Sequence, residues 1–167
     1  MLARLLSFLG VRREAAPEPI APPAPQPAIR VLPIGEGPAT APAGLTPRDL
    51  ARLEGVHPDL VRVVQRARAT APFFVAEGLR TPKRQAELMR AGKSTTLASR
   101  HITGHAVDLY PITDTPIPQM TKADFAGVVI AMRKAAAAEG VPVTWGGDWA
   151  TFVDAPHWEL PRGSYPG

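Results

Sequence analysis

Two short stretches carry the residue types that chemistry at a metal requires. Ser99 to Asp108 reads Ser-Arg-His-Ile-Thr-Gly-His-Ala-Val-Asp and sets His101 seven residues before Asp108, with Gly104 between them. Asp154 to Leu160 reads Asp-Ala-Pro-His-Trp-Glu-Leu and sets His157 three residues after Asp154. A catalytic zinc is typically held by three protein ligands drawn from His, Asp and Glu, with a fourth position left to water or substrate. His101, Asp108 and His157 make such a set, which implies Zn2+ as cofactor. Asp154 is then left over to act as a base.

The spacings are physically sensible. Glycine at 104 lets the chain turn sharply, so a histidine before the turn and an aspartate on the following strand can face one point. Residues three apart on a regular strand point to opposite faces, so Asp154 and His157 need a bend to converge. Pro156 supplies one by fixing its own φ and holding Ala155 extended. Asp154 would then accept a proton from the attacking water, with Glu159 standing as an alternative base or as a partner of a ligand. Charge developing on a carbonyl oxygen needs a positive group, and Arg80 at a strand-to-helix junction is the candidate. His101 and His105 are four apart, the spacing of two ligands on a helix, but Gly104 argues against a helix and the glutamate of H-E-x-x-H is absent. His105 therefore reads as a wall of the site or a support to its ligands. His57, directly before Pro58, reads as local structure at a helix start.

Several elements must bring these side chains together. Thr46 followed by Pro47 marks a helix start. A second helix is predicted from Pro58 through Ala69, with Leu60, Val61, Val63 and Val64 on its apolar side. Phe73 to Leu79 reads as a strand ending at Arg80. Thr81-Pro82 then repeats the cap-then-proline start of a helix that should stop near Gly92. After a polar loop, Lys93 to Ala98, the alternation from His105 to Tyr110 predicts a strand with Val107 and Leu109 on one face and Asp108 on the other. Asp114 to Gln119 is a proline-rich turn. Thr121 to Glu139 is the strongest helical pattern, with Phe125, Val128, Val129 and Met132 at helical spacing and Gly140 as its stop. Val141 to Trp145 and His157 to Leu160 are short strands. Strands without regular βαβ spacing, mixed with a few helices, point to the α+β class and a small, mainly antiparallel sheet with flanking helices.

Composition separates this domain from what precedes it. Nine of the 20 prolines in the 167 residues fall between Pro17 and Pro42. The expected division is a Pro/Ala-rich tail over 1–44, extended and semi-rigid, and one domain over 45–167. Met1 to Val11 begins the tail with Leu2, Leu5, Leu6 and Leu9 on one helical face, too short to span a bilayer and poor as a secretory signal. It reads as a frayed terminus or as a short amphipathic contact to a membrane or particle. Absence of cysteine removes thiolate ligands and disulfides. The net charge of +4 favours anionic partners, but the basic residues are scattered without interleaved aromatics. An acidic polymer such as bacterial cell wall is the expected partner, no nucleic acid is expected, and the chain is expected to be a monomer.

Ser99 to Asp108, Trp145-Gly-Gly-Asp-Trp149 and Asp154 to Leu160 together resemble the zinc-dependent peptidoglycan peptidases. That family includes D-Ala-D-Ala carboxypeptidases, the D-Ala-D-Ala dipeptidases of vancomycin resistance and phage L-alanyl-D-glutamate endolysins. The similarity spans roughly Leu45 to Leu160 and implies a Hedgehog/DD-peptidase-like fold. It implies zinc on His101, Asp108 and His157, Asp154 as the base, and Arg80 stabilising substrate or transition state. Gln85 and Ser99 match positions that line the site. Aspartate at 154, where the dipeptidases usually carry glutamate, together with the Trp-Gly-Gly-Asp-Trp segment, resembles the endolysin branch and implies cleavage of the L-Ala-D-Glu bond of the stem peptide. The same resemblance leaves D-Ala-D-Ala carboxypeptidase or dipeptidase as an alternative. A further alternative, a non-catalytic zinc-binding structural module, is opposed by the presence of Asp154 and Arg80 beside all three ligands. An enzyme of this branch without a signal peptide is expected to await a holin in the cytoplasm or to travel on a phage-like particle, and to act on the cell wall. The Pro-rich tail departs from the family and resembles no wall-binding domain.

Overall fold

The computed structural model describes residues 44–167, and the expectations for the amphipathic start and the tail up to Ala43 lie outside the described residues. Helix α1, Pro47–Arg52, opens with a capping box: Thr46 Oγ1 accepts from the Asp49 N–H at 3.2 Å, and the Asp49 carboxylate accepts from the Thr46 N–H at 2.9 Å. The second carboxylate oxygen of buried Asp49 accepts from the Val75 N–H at 2.8 Å. Arg52 donates to the carbonyl of the same Val75. Those two groups lie on the free edge of strand β1, Phe73–Glu77, so α1 covers an edge that would otherwise be unpaired.

Helix α2, Pro58–Arg68, is capped by His57, whose Nδ1 accepts from the Asp59 N–H at 3.2 Å, the local role expected for this histidine. Helix α3, Pro82–Arg90, is capped by Thr81, and helix α4, Ala126–Glu139, ends at Gly140 with φ 66°. The helical pattern from Thr121 starts differently from expectation. Thr121 and Asp124 form a capping box over a 3-10 turn, Lys122–Phe125, and the α-helix begins only at Ala126. The expected turn over Asp114 to Gln119 contains a further 3-10 turn, Ile117–Gln119.

Strands β2, Ala106–Pro111, β3, Thr144–Trp145, and β4, His157–Glu159, join β1 in one sheet of order β1-β2-β4-β3. All three pairings are antiparallel. β3 is shorter than the predicted Val141 to Trp145, consistent with Pro142 having no N–H for a ladder. Strand alternation gives the sheet two unlike faces. Phe73, Val75, Val107, Leu109 and Trp158 are buried with Leu60, Val63 and Val64 of α2 and Val128 and Met132 of α4. The other face of the same strands carries Asp108, His157 and Glu159.

Three local features aim this second face. A bulge between Val75 and Glu77 sets Glu77, not Ala76, across from Asp108. Gly78 lies so close to the Arg52 carbonyl that an added Cβ would stand 2.0 Å from its oxygen. Gly104 combines φ 72° with a backbone contact that would put a Cβ 2.2 Å from the Gly55 oxygen, and its own carbonyl accepts from the His57 N–H at 2.8 Å. The turn at 104 is therefore both left-handed and pressed against the α1–α2 loop.

Gly104→Ala should lower the melting temperature by at least about 5 °C, because the left-handed conformation alone costs about 1–2 kcal/mol and the clash adds to it. Gly92→Ala is the control: its φ of 67° is similar but nothing lies within 4 Å of the added carbon, so its loss should be smaller. Equal losses by thermal unfolding would show that packing at Gly104 contributes nothing.

Candidate functional site

The sheet pairing brings the predicted ligands together from separate parts of the chain. Asp108 on β2 lies directly across from His157 on β4, and His101 reaches them from the loop that ends at Gly104. His101 Nε2 and His157 Nδ1 are 3.2 Å apart, and each is 3.3 Å from Asp108 Oδ1. Both imidazoles are almost fully buried, and Asp108 Oδ1 is buried without a hydrogen-bond partner among the described residues. Three ligand atoms converging on one point, one of them an unsatisfied carboxylate oxygen, can hold a metal ion.

The remaining ring nitrogens are occupied, which fixes the tautomers. His101 Nδ1 lies 2.8 Å from the Gly78 carbonyl and must donate to it, leaving the lone pair of Nε2 directed at the cluster. His157 Nε2 donates to Glu159 at 3.1 Å, leaving Nδ1 for the same point. Glu159 thus pairs with a candidate ligand, and such a carboxylate–imidazole arrangement orients a metal-binding histidine and raises its basicity.

Burial and facing charges together set the electrostatics of the cluster. Burial alone would raise the Asp108 carboxyl, but the facing imidazoles outweigh it and hold the group well below the usual carboxylate range. Burial pulls the His157 imidazole down, yet Asp108 and Glu159 push it up to about 9. Asp154 is raised, mainly by burial and further by the charge of Asp108. An elevated carboxyl suits a group that has to accept a proton near neutral pH.

Asp154 is presented by a turn that its neighbours build. The His157 N–H donates to the Asp154 carbonyl at 3.2 Å across Ala155 and Pro156, which is the bend the sequence required. The Trp145 indole donates to the Ala155 carbonyl at 2.7 Å, and the Asp154 N–H donates to the Gly146 carbonyl at 3.0 Å. A Cβ on Gly146 would stand 2.6 Å from the Asp154 oxygen. Trp149 brings its ring to 5.0 Å from that of His157. The Trp-Gly-Gly-Asp-Trp segment is therefore the support on which the Asp154 turn rests.

A cleft of about 280 Å³ opens over the cluster, with Asp154, Arg80 and Ser99 among its walls. Arg80 is mostly buried. Its Nε donates to Glu77 at 2.8 Å, Nη2 also pairs with Glu77, and Nη1 donates to Gln85 at 2.8 Å. Nη2 also stands 3.6 Å from Asp108 Oδ2. Two expectations change here. Gln85 is fully buried and lines no part of the cleft: its amide oxygen accepts from Arg80, while Nε2 donates to Ser94 Oγ at 2.7 Å and to the Thr96 carbonyl at 2.6 Å. Gln85 thus stands behind the cleft wall, holding Arg80 and the 94–96 loop. His105 is neither wall nor support, since its ring pairs with the Thr103 hydroxyl and packs against His57 and Tyr165 outside the cleft. Glu77 is the residue the sequence reading missed. Its only signal was a Glu-x-x-Arg spacing at a strand end, which is common without function.

The model of the family described as phage L-alanyl-D-glutamate peptidase matches residues 44–165. The L-alanyl-D-glutamate peptidase of Escherichia phage T5 is 32% identical over 121 residues, covering 70% of this chain and 88% of that protein. The L-alanyl-D-glutamate peptidase of Listeria phage A118 is 31% identical over 84 residues, which is half of this chain and 28% of that longer protein. The crystal structure of an L-Ala D-Glu endopeptidase from Serratia marcescens superposes with a TM-score of 0.65 at 45% identity, covering 74% of this chain and 93% of that one.

The elevated His157 carries a pH dependence for the metal-free chain. Unfolded, the imidazole titrates near about 6.5. Folded, it keeps its proton up to about 9. The stabilisation from that proton is complete below the unfolded value and lost as pH rises through the folded one. Calorimetry with chelator present should therefore show the melting temperature falling as pH rises from about 6.5 to about 9. A metal-loaded sample should escape this decline, because the ion replaces the proton. A flat profile in the chelated sample would mean that His157 holds no such proton.

Proposed function

The chain belongs to the phage L-alanyl-D-glutamate peptidase family, and from that premise we propose that it is a zinc-dependent endopeptidase of the endolysin type that cuts the L-Ala-D-Glu bond of peptidoglycan stem peptides. One observation carries the zinc: the 3.2–3.3 Å separations of His101 Nε2, His157 Nδ1 and Asp108 Oδ1. Bonds of about 2.0–2.1 Å to a tetrahedral zinc imply ligand atoms about 3.3 Å apart, so His101, Asp108 and His157 are spaced as residues that would hold such an ion. Zinc bound there supplies Lewis-acid chemistry, polarising the scissile carbonyl and lowering the pKa of water.

The chain's own residues divide the remaining work. Asp154 accepts the proton of the attacking water at its carboxylate and later delivers it to the leaving amine. Arg80, held by Glu77 and Gln85 beside Asp108, turns its remaining N–H groups toward the oxygen on which charge develops. Ser99 lines the cleft as a contact for the bound peptide. Residues 45–167 constitute the peptidase domain, and the Pro/Ala-rich 1–44 serves as a tethering or targeting segment that adds nothing to its core.

Metal analysis should find one zinc per chain, lost in His101→Ala and His157→Ala. Asp154→Asn should keep the metal while losing about 10²-fold or more in kcat, the scale of a missing acid–base group. Digestion of purified peptidoglycan followed by mass spectrometry should give new amino termini at D-glutamate. Release of free D-alanine alone would move the protein to terminal D-Ala-D-Ala cleavage, and metal loss in Asp154→Asn would make Asp154 a ligand.

A further inference from the structure

We infer that Lys93 is the cation that recognises the glutamate carboxylate of the substrate, a specificity role separate from that of Arg80. The inference rests on the L-Ala-D-Glu reading above. A glutamate within a peptide keeps one carboxylate free whichever of its two carboxyls continues the chain. The leaving side of the scissile bond therefore brings a negative charge into a cleft already lined by Glu77, Asp108 and Asp154.

Among the described residues, two side chains of fixed positive charge line that cleft, Arg80 and Lys93. Arg80 is committed. Its side chain is only 9% exposed, Glu77 takes Nε and Nη2, Gln85 takes Nη1, and Asp108 stands 3.6 Å away. With Nε and one hydrogen on each Nη committed to Glu77 and Gln85, and its remaining N–H groups beside Asp108, it is placed for the reacting oxygen. Lys93 is exposed, and no carboxylate among the described residues pairs with it.

The stem from which Lys93 reaches is fixed. Gly92, with φ 67°, ends α3, and the Lys93 N–H donates back to the Leu88 carbonyl at 2.8 Å in the six-to-one bond of a Schellman cap. The residues that follow are held by the Gln85 amide through Ser94 Oγ and the Thr96 carbonyl. A long side chain on an anchored backbone places a point charge with three rotatable donors at the rim, suited to one carboxylate whose exact angle varies.

The test compares two peptides, alike except that the D-glutamate carboxylate is free in one and amidated in the other, using the full zinc-loaded chain. The unaltered protein should prefer the free carboxylate by about tenfold in kcat/KM, the scale of one charge-assisted hydrogen bond, chiefly through KM. Lys93→Met should abolish most of that preference, and Lys93→Arg should retain it, with metal content and melting temperature unchanged in both. An undiminished preference in Lys93→Met, or equal loss on the two peptides, would overturn the role of Lys93 while leaving the functional reading intact. Failure of the unaltered protein to cut either peptide would overturn the reading of the bond and this inference with it.

Discussion

The register between β2 and β4 is the constraint on which the rest depends. Asp108 faces His157 across that pairing while Val107 faces Trp158 one residue along. Because side chains alternate along a strand, a one-residue slip of β4 against β2 would turn His157 toward the helices and Trp158 toward the cleft, parting each from the residue it now faces. Trp158 is buried and stacks on Trp145 of the neighbouring strand, 5.9 Å between rings. Burying a large side chain contributes about 1.5–3 kcal/mol, so the core enforces the register strongly. Hydrophobic packing on one face and ligand convergence on the other are two consequences of one alignment.

The place of His101 depends on a second constraint, close backbone contact without side chains between. His101 meets the sheet because its ring donates to the Gly78 carbonyl and its own carbonyl accepts from the Arg80 N–H at 3.0 Å. Gly78 and Gly104 let these two segments lie against α1 and the loop after it, the Arg52 and Gly55 carbonyl oxygens standing where their Cβ atoms would be. Arg100, next to His101 in the chain, is buried and donates to the carbonyls of Leu160, Tyr165 and Gly167, fastening the loop to the C-terminal turn. Sheet, loop and terminus are thereby locked around a cluster that carries little apolar surface of its own.

Much of this was legible in the sequence because residue type and period both reported it. The alternation around Asp108 gave its face correctly, and the caps at Thr46 and Thr81 marked real helix starts. His101, Asp108 and His157 converge as their motifs implied. Glu77 escaped for a definite reason. Strict alternation from Phe73 and Val75 would send it into the core, and only the bulge turns it to Asp108. A bulge adds one residue without any signature in composition. Gln85 lies behind the cleft wall for a different reason: proximity to the site in a motif does not say whether an amide faces the cleft or backs the residue that does. His105 sat within the motif, but its side chain leaves on the far side of Gly104, where His57 and Tyr165 receive it.

The burial of the ligand rings has a consequence for traffic. Gly78 stands behind His101, Glu159 stands behind His157, and the sheet closes the floor beneath Asp108. Among the described residues the cleft is the opening over these three atoms, so an ion held by them would exchange with solvent through the same space that admits a peptide. Metal exchange and substrate occupancy therefore share one doorway. On the function proposed above, a peptide in the cleft would stand between an ion on these three atoms and the solvent.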